Sequence, residues 1–209
     1  MSGEPYPLRL ITPTDDFEIN LRRYSPYQEG RPWHSVSVVI GKEHRPGYPY
    51  NGDGRDPTPE EREDPRWPTE HEGYTFVDTD AWQRNSERLW TLDGSGRFTL
   101  DTAPIGACYE APREWHHAYT AICREYRAVQ HERGTYWVKL PNGHWFSADR
   151  IAGNGDGESG WVTTGTLPLI TVSPSISNAP GDPTGYHGWL GVNGTPVGQL
   201  SRDLDGRDC

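Results

Sequence analysis

The chain has 209 residues, among them 24 Gly and 19 Pro, and a formal net charge of −10. Its hydrophobic fraction of 33% lies below the ~45–50% usual for globular chains, a benchmark that also counts Gly. So much Gly and Pro excludes a mainly helical bundle, because both break helices, while 9 Trp, 11 Tyr and 4 Phe argue against disorder throughout.

No run approaches the ~18 apolar residues of a membrane-crossing helix. The opening MSGEPYPLRL lacks the basic-then-apolar layout of a secretory signal. Acidic residues concentrate in 51–72, and an acidic chain matches phosphate backbones poorly, so neither nucleic acid nor membrane is expected as a partner. The basic residues are 18 Arg against 2 Lys, a bias of GC-rich codons rather than of function. Cys108, Cys123 and Cys209 are too few for a disulfide framework. Reduced thiols and intracellular synthesis are expected, with a single Cys108–Cys123 bridge left open.

Residues 1–41 read as strands. Phe17, Ile19 and Leu21 alternate with Glu18, Asn20 and Arg22, and Val36, Val38 and Ile40 alternate likewise; period two means one packed face and one wetter face. Residues 42–72 show no period and read as a long Pro/Gly/acidic loop or linker. Two helices are expected next. One is capped by Asp78 or Thr79 and runs to about Trp90. The other starts near Pro112, with Trp115, Tyr119, Ile122, Tyr126 and Val129 as its stripe. Between them, LDGSGRFTLD reads as a turn and a short strand.

From 131 onward the pattern is hairpins. TYWVKL and HWFS flank Asn142-Gly143, and GYHGWLGV and TPVGQL flank Asn193-Gly194; both Asn-Gly pairs suit a type I′ turn. LITVS is a strand delimited by Pro168 and Pro174. The expected fold is α+β, mainly β, with antiparallel hairpins in the C-terminal part and one or two helices in the middle. Two parts are expected: 1–130, mixed β/α with the 42–72 loop, and 131–209, a β-rich hairpin domain.

Four constellations bear on chemistry. Cys108, His116, His117 and Cys123 are zinc-ligand types, but His117 points away from the others on the expected helix and no CxxC or HxxxH spacing exists. No metal and no cofactor is therefore expected. Asn154, Asp156 and Glu158, like Asn51 and Asp53, alternate as in a calcium loop, yet Gly165 stands where the closing Glu belongs; turn chemistry explains both segments. Ser173 and Ser175 are hydroxyl nucleophiles in TVSPSIS without a GxSxG elbow, so no catalytic residue is assigned. Strand alternation puts Trp137 with Lys139, and His187 with Trp189, on the less aliphatic faces of their strands. Trp137, His144, His187 and Trp189 are the expected ligand contacts, since half-exposed Trp stacks on sugars or anchors interfaces.

LPNGHWF, GWVTTGTLPLITVSPSIS and YHGWLGVNG carry a resemblance. The pattern is a strand ending in Thr171, Ser173, Pro174, Ser175 and Ile176, a gap, then His187, Gly188, Trp189 and Leu190, and a turn at Gly194. Over roughly residues 135–207 it resembles a domain family of unknown function encoded mainly by tailed bacteriophages and bacteria, some of whose members carry an ammonia monooxygenase-like label. Relatives often have Cys beside this His, where the chain has Tyr186. The resemblance implies a phage gene from a high-GC host and supplies no catalytic residues. The expected function is a non-enzymatic virion structural or accessory component, placed in the virion or in host cytoplasm during infection. It would contact other phage or host proteins as a homo- or hetero-oligomer. The alternatives are an intracellular accessory protein that binds a host factor, and a metal-dependent enzyme acting on a small molecule or sugar.

Overall fold

A computed structural model describes residues 4–25, 35–48, 52–63, 65–66, 70–71, 74–76, 81–111, 134–148, 161–178 and 184–205. Strands take 61% and helix 3% of these, so the fold is mostly β. In chain order the first strands are β1 (Tyr6–Pro7), β2 (Arg9–Tyr24), β3 (Ser35–His44), β4 (Gly52–Arg55), β5 (Glu70–His71), β6 (Tyr74–Thr75), β7 (Ala81–Leu92) and β8 (Ser95–Phe98). Then follow β9 (Ala107–Ala111), β10 (Thr135–Lys139), β11 (Trp145–Ser147), β12 (Val162–Thr166), β13 (Leu169–Asn178), β14 (Tyr186–Leu190) and β15 (Gln199–Leu200). The one described helix is α1 (Pro59–Arg62). No described helix is long and apolar enough to cross a membrane.

Two compact units divide the chain: Pro13–Trp90, and Met1–Thr12 with Thr91–Cys209. The boundary expected near residue 130 and the helix expected from Pro112 to Val129 lie outside the described residues.

In the Pro13–Trp90 unit, β2 pairs antiparallel with β3, with a register shift at Ile19/Asn20. Phe17, Ile19 and Leu21 are buried as their alternation requires. In place of the helix expected to run to about Trp90, residues 81–90 belong to β7, which pairs antiparallel with β4; Asp78 and Thr79 lie outside the described residues. The period of two was hidden because the buried alternate positions of β7 include Ser86 and Arg88 as well as Trp90. Sequence patterning reads polar residues as wet, whereas pairing on the sheet buries these and gives them partners.

Part of the expected 42–72 loop is ordered. Thr58 caps α1 in a reciprocal capping box with Glu61. Glu61 also accepts two hydrogen bonds from Arg55, each 2.9 Å, and pairs with Arg84 of β7 at 3.1 Å. Burial pushes the Glu61 carboxyl up, but the hydrogen bonds from Arg55 and Thr58 and the charges of Arg55 and Arg84 outweigh it and hold it below the usual carboxylate range.

The second unit contains two layers. One is the five-stranded order β1-β15-β14-β13-β12, antiparallel wherever register is defined. The other carries β9, β10 and β11, antiparallel to one another, with the start of β2 parallel to β9. A single core lies between the layers. Cys108, Tyr136, Val138, Leu140 and Phe146 come from one side and Ile170, Val172, Ile176, Tyr186, Leu190 and Leu200 from the other.

Both expected C-terminal strand pairs form, although β14 meets β15 at Leu190 and Leu200, a longer connection than the two-residue hairpin loop expected at Asn193-Gly194. At Asn193-Gly194 both residues have positive φ, +52° and +85°, as a type I′ turn demands. The β10–β11 turn differs from the expected type I′. Only Gly143 is left-handed, Gly143 N–H donates to the Leu140 carbonyl at 2.9 Å, and Leu140 N–H donates to the His144 carbonyl at 2.8 Å. This is a three-residue loop, because Pro141 preorganises its first position and Gly143 closes it. The strand expected to stop at Pro174 continues to Asn178 through a register shift between Val172 and Ile176, where a residue lacking N–H is tolerated.

Candidate functional site

The outer face of β14 gathers the polar groups of most interest. Tyr186 and Leu190 point into the core and are fully buried, which leaves His187 and Trp189, both half-buried, on the opposite face. On β13, Ile176 lies across from Gly188 and Ser177 across from His187. Ser175 sits within the register shift, and its carbonyl accepts a hydrogen bond from Trp161 Nε1 at 3.2 Å.

The chain after β15 returns beside β14. Ser201 N–H donates to the Trp189 carbonyl at 2.8 Å and Leu204 N–H donates to the His187 carbonyl at 2.8 Å. Ser201 Oγ accepts from Trp189 N–H at 2.9 Å. Asp203 Oδ2 accepts from His187 N–H at 2.9 Å, and its Oδ1 accepts from Asp205 N–H at 2.8 Å. Asp203 thus ties the strand to the turn that carries Asp205. As a result, His187 Nδ1 lies 3.3 Å from Asp205 Oδ1 and Nε2 lies 3.4 Å from Ser175 Oγ. The imidazole is 35% exposed and the Asp205 carboxylate 53%, so the cluster opens to solvent.

The other expected contacts lie elsewhere. Trp137 stands on β10 opposite Tyr109 and Ser147, on the face pointing away from the core. Its face-mate Lys139 is only 5% exposed, and its ammonium donates to the carbonyls of Leu100 and Asp101 at 3.1 Å each. Burial lowers the pKa of Lys139, and Asp101 works against that shift. Trp145 Nε1 donates to the same Leu100 carbonyl at 3.1 Å and its ring stacks edgewise on Tyr109 at 5.3 Å. This face is occupied by its own structural contacts. His144 is exposed in the β10–β11 loop, where its N–H donates to Asn142 Oδ1 at 3.3 Å. The four residues therefore do not form one site: His187 and Trp189 share an outer face, and the core separates them from Trp137.

The members that sequence reading missed are Asp203 and Asp205. In the sequence of the tail, SRDLDGRDC, the one local signal for them is that Asp203 and Asp205 stand two apart, the spacing that shares a face on an extended chain. Among the described residues no three His, Cys, Asp or Glu side chains stand close enough to hold a metal ion. His116, His117, Cys123 and the 154–158 loop lie outside the described residues.

Cys108 is a free, fully buried thiol. Burial pushes it up to about 12, against a smaller opposing hydrogen bond from the Arg9 backbone. Two results are expected. Iodoacetamide at pH 8.5 should leave Cys108 unlabelled until denaturant is added, as read by peptide mass mapping. Stability should fall as pH rises above the ordinary thiol range, about 8.5, because the unfolded chain releases this proton and the folded one keeps it. Rapid labelling of the native protein at Cys108 would show the thiol to be accessible.

Comparison with protein families, with curated proteins and with solved structures finds no match to this chain.

Proposed function

We propose that this protein acts through protein–protein contacts, as a structural or accessory component of a bacteriophage particle. The carrying observation is an exposed apolar tip on the second unit. Leu169 is 66% exposed and Val197 is 53% exposed. They lie close together: Gly198, next to Val197, donates its N–H to the Ile170 carbonyl at 3.1 Å, and a Cβ built on it would meet Leu169 Cδ2 at 3.2 Å. Two neighbouring exposed aliphatics, one at the start of β13 and one just before β15, offer an apolar spot that a partner surface can cover. The resemblance over 135–207 supports the phage setting.

The test is mass spectrometry of purified particles from the encoding phage, with copy number measured against the major capsid protein. Many copies per particle are expected. Leu169→Asp with Val197→Asp is expected to weaken incorporation by about tenfold or more, as loss of an apolar anchor does. Absence from particles would overturn the reading and leave a role in the infected cell.

A further inference from the structure

We propose that Ser175, His187 and Asp205 form a nucleophilic serine site that accepts an acyl group from a small carboxylic ester. This goes beyond the contact reading and does not depend on it.

The three residues come from β13, β14 and the segment after β15, and the fold brings them into line. Each imidazole nitrogen has its own partner, Asp205 Oδ1 at 3.3 Å and Ser175 Oγ at 3.4 Å. A carboxylate at Nδ1 favours the tautomer with its proton there and leaves the Nε2 lone pair facing the hydroxyl. Separations of this size are usual before substrate tightens such a chain. Each member is also held from behind. Trp161 fixes the Ser175 carbonyl, and Asp203 binds both the His187 and Asp205 N–H groups. Trp189, two residues along on the same outer face, offers an aromatic surface for the ester.

The chemistry balances without a further reactant besides water. Ser175 Oγ attacks the ester carbonyl carbon while its proton passes to His187 Nε2. The tetrahedral adduct collapses, the bond to the alcohol oxygen breaks, and the alcohol leaves with the proton from Nε2. Water then attacks the acyl-serine by the same route, which releases the carboxylic acid and restores the hydroxyl. Because Asp205 is 53% exposed, water screens its support of the imidazolium. Slow turnover and a preference for activated esters follow.

The experiment incubates the full chain with p-nitrophenyl acetate and, separately, with a fluorophosphonate probe. A burst approaching one equivalent of nitrophenol is expected, with acetyl or phosphonyl mapped to Ser175. Ser175→Ala should abolish that label, and His187→Gln should slow acylation by about 100-fold or more. Asp205→Asn should slow it by a smaller factor. Melting curves and near-ultraviolet circular dichroism confirm that each variant is folded. If Ser175→Ala does not fold, Ser175→Cys replaces it, with His187-dependent acylation of the thiol expected. An unlabelled Ser175 in the native protein overturns the proposal, and so does labelling whose rate is indifferent to His187→Gln. Particle composition is read separately, so failure here leaves the contact reading intact and the reverse also holds.

Discussion

Arg88→Ala is expected to destabilise the Pro13–Trp90 unit by about 3–5 kcal/mol. Arg88 is 4% exposed. Its guanidinium donates to the Thr14 carbonyl at 2.6 Å and to the Tyr48 carbonyl, and it lies 4.6 Å from the centre of the Phe17 ring. Asp15 Oδ1 lies 3.9 Å from Arg88 Nη1. Burial lowers the pKa of Arg88, and Asp15 and Tyr48 oppose that shift; an arginine stays charged throughout. Truncation leaves two carbonyls short of a donor, each costing about 1–3 kcal/mol. It also removes a desolvated cation–π contact of about 2 kcal/mol. Relief of the cost of burying the charge offsets part of this.

Two companion variants separate the causes. Arg88→Met keeps much of the volume and loses the donors, so it should recover only the packing share. Arg88→Lys keeps the charge but cannot reach two carbonyls with one planar fork, and should also be destabilised. Urea unfolding followed by Trp fluorescence measures all three. An Arg88→Ala variant as stable as the parent would mean that the guanidinium is not buried as described.

Gly188→Ala is the second large effect, about 3 kcal/mol. A Cβ here would lie 2.1 Å from Tyr186 Oη and 2.7 Å from Ser201 Oγ. Tyr186 is fully buried, and its hydroxyl donates to the Ser201 carbonyl at 2.9 Å. The ring lies over Gly188 because the two residues share the inner face of β14, and an aromatic covering a strand glycine packs well only while that glycine has no side chain. The added methyl group must displace a ring that the surrounding core holds in place. Tyr186→Phe alone should cost only about 1 kcal/mol, the net value of one hydrogen bond. Tyr186→Ala combined with Gly188→Ala should be less destabilising than the sum of the single changes, because the clash is gone once the ring is removed. Strict additivity would show that the ring and the glycine do not touch.

Much of the strand content follows from local pattern. Phe17, Ile19 and Leu21 fall on one buried face, and so do Tyr136, Val138 and Leu140. These runs could be read because a strand that buries one face needs apolar residues at every second position. Strand β7 could not, since two of its buried positions are Ser86 and Arg88. The groups that satisfy Arg88 belong to Thr14 and Tyr48, far away in the chain, and no window of sequence contains both a buried arginine and its distant acceptors.

The candidate site divides in the same way. Local alternation was enough to put His187 and Trp189 on the outer face of their strand, and the positive-φ turn at Asn193-Gly194 was legible from residue type because Asn and Gly tolerate that conformation best. The meeting of Ser175, His187 and Asp205 was decided only by tertiary structure. It needs the pairing that sets Ser177 of β13 across from His187, so that Ser175, two residues back on the same face, lies near the histidine, and the return of the chain along β14 through Ser201, Asp203 and Leu204. The separation of Trp137 from His187 is likewise tertiary, because it depends on which layer each strand joins. Local sequence determines which face of a strand a side chain takes, since that is a matter of backbone period. Which strands become neighbours, and in what register, depends on burying one shared core, and that is a property of the whole chain.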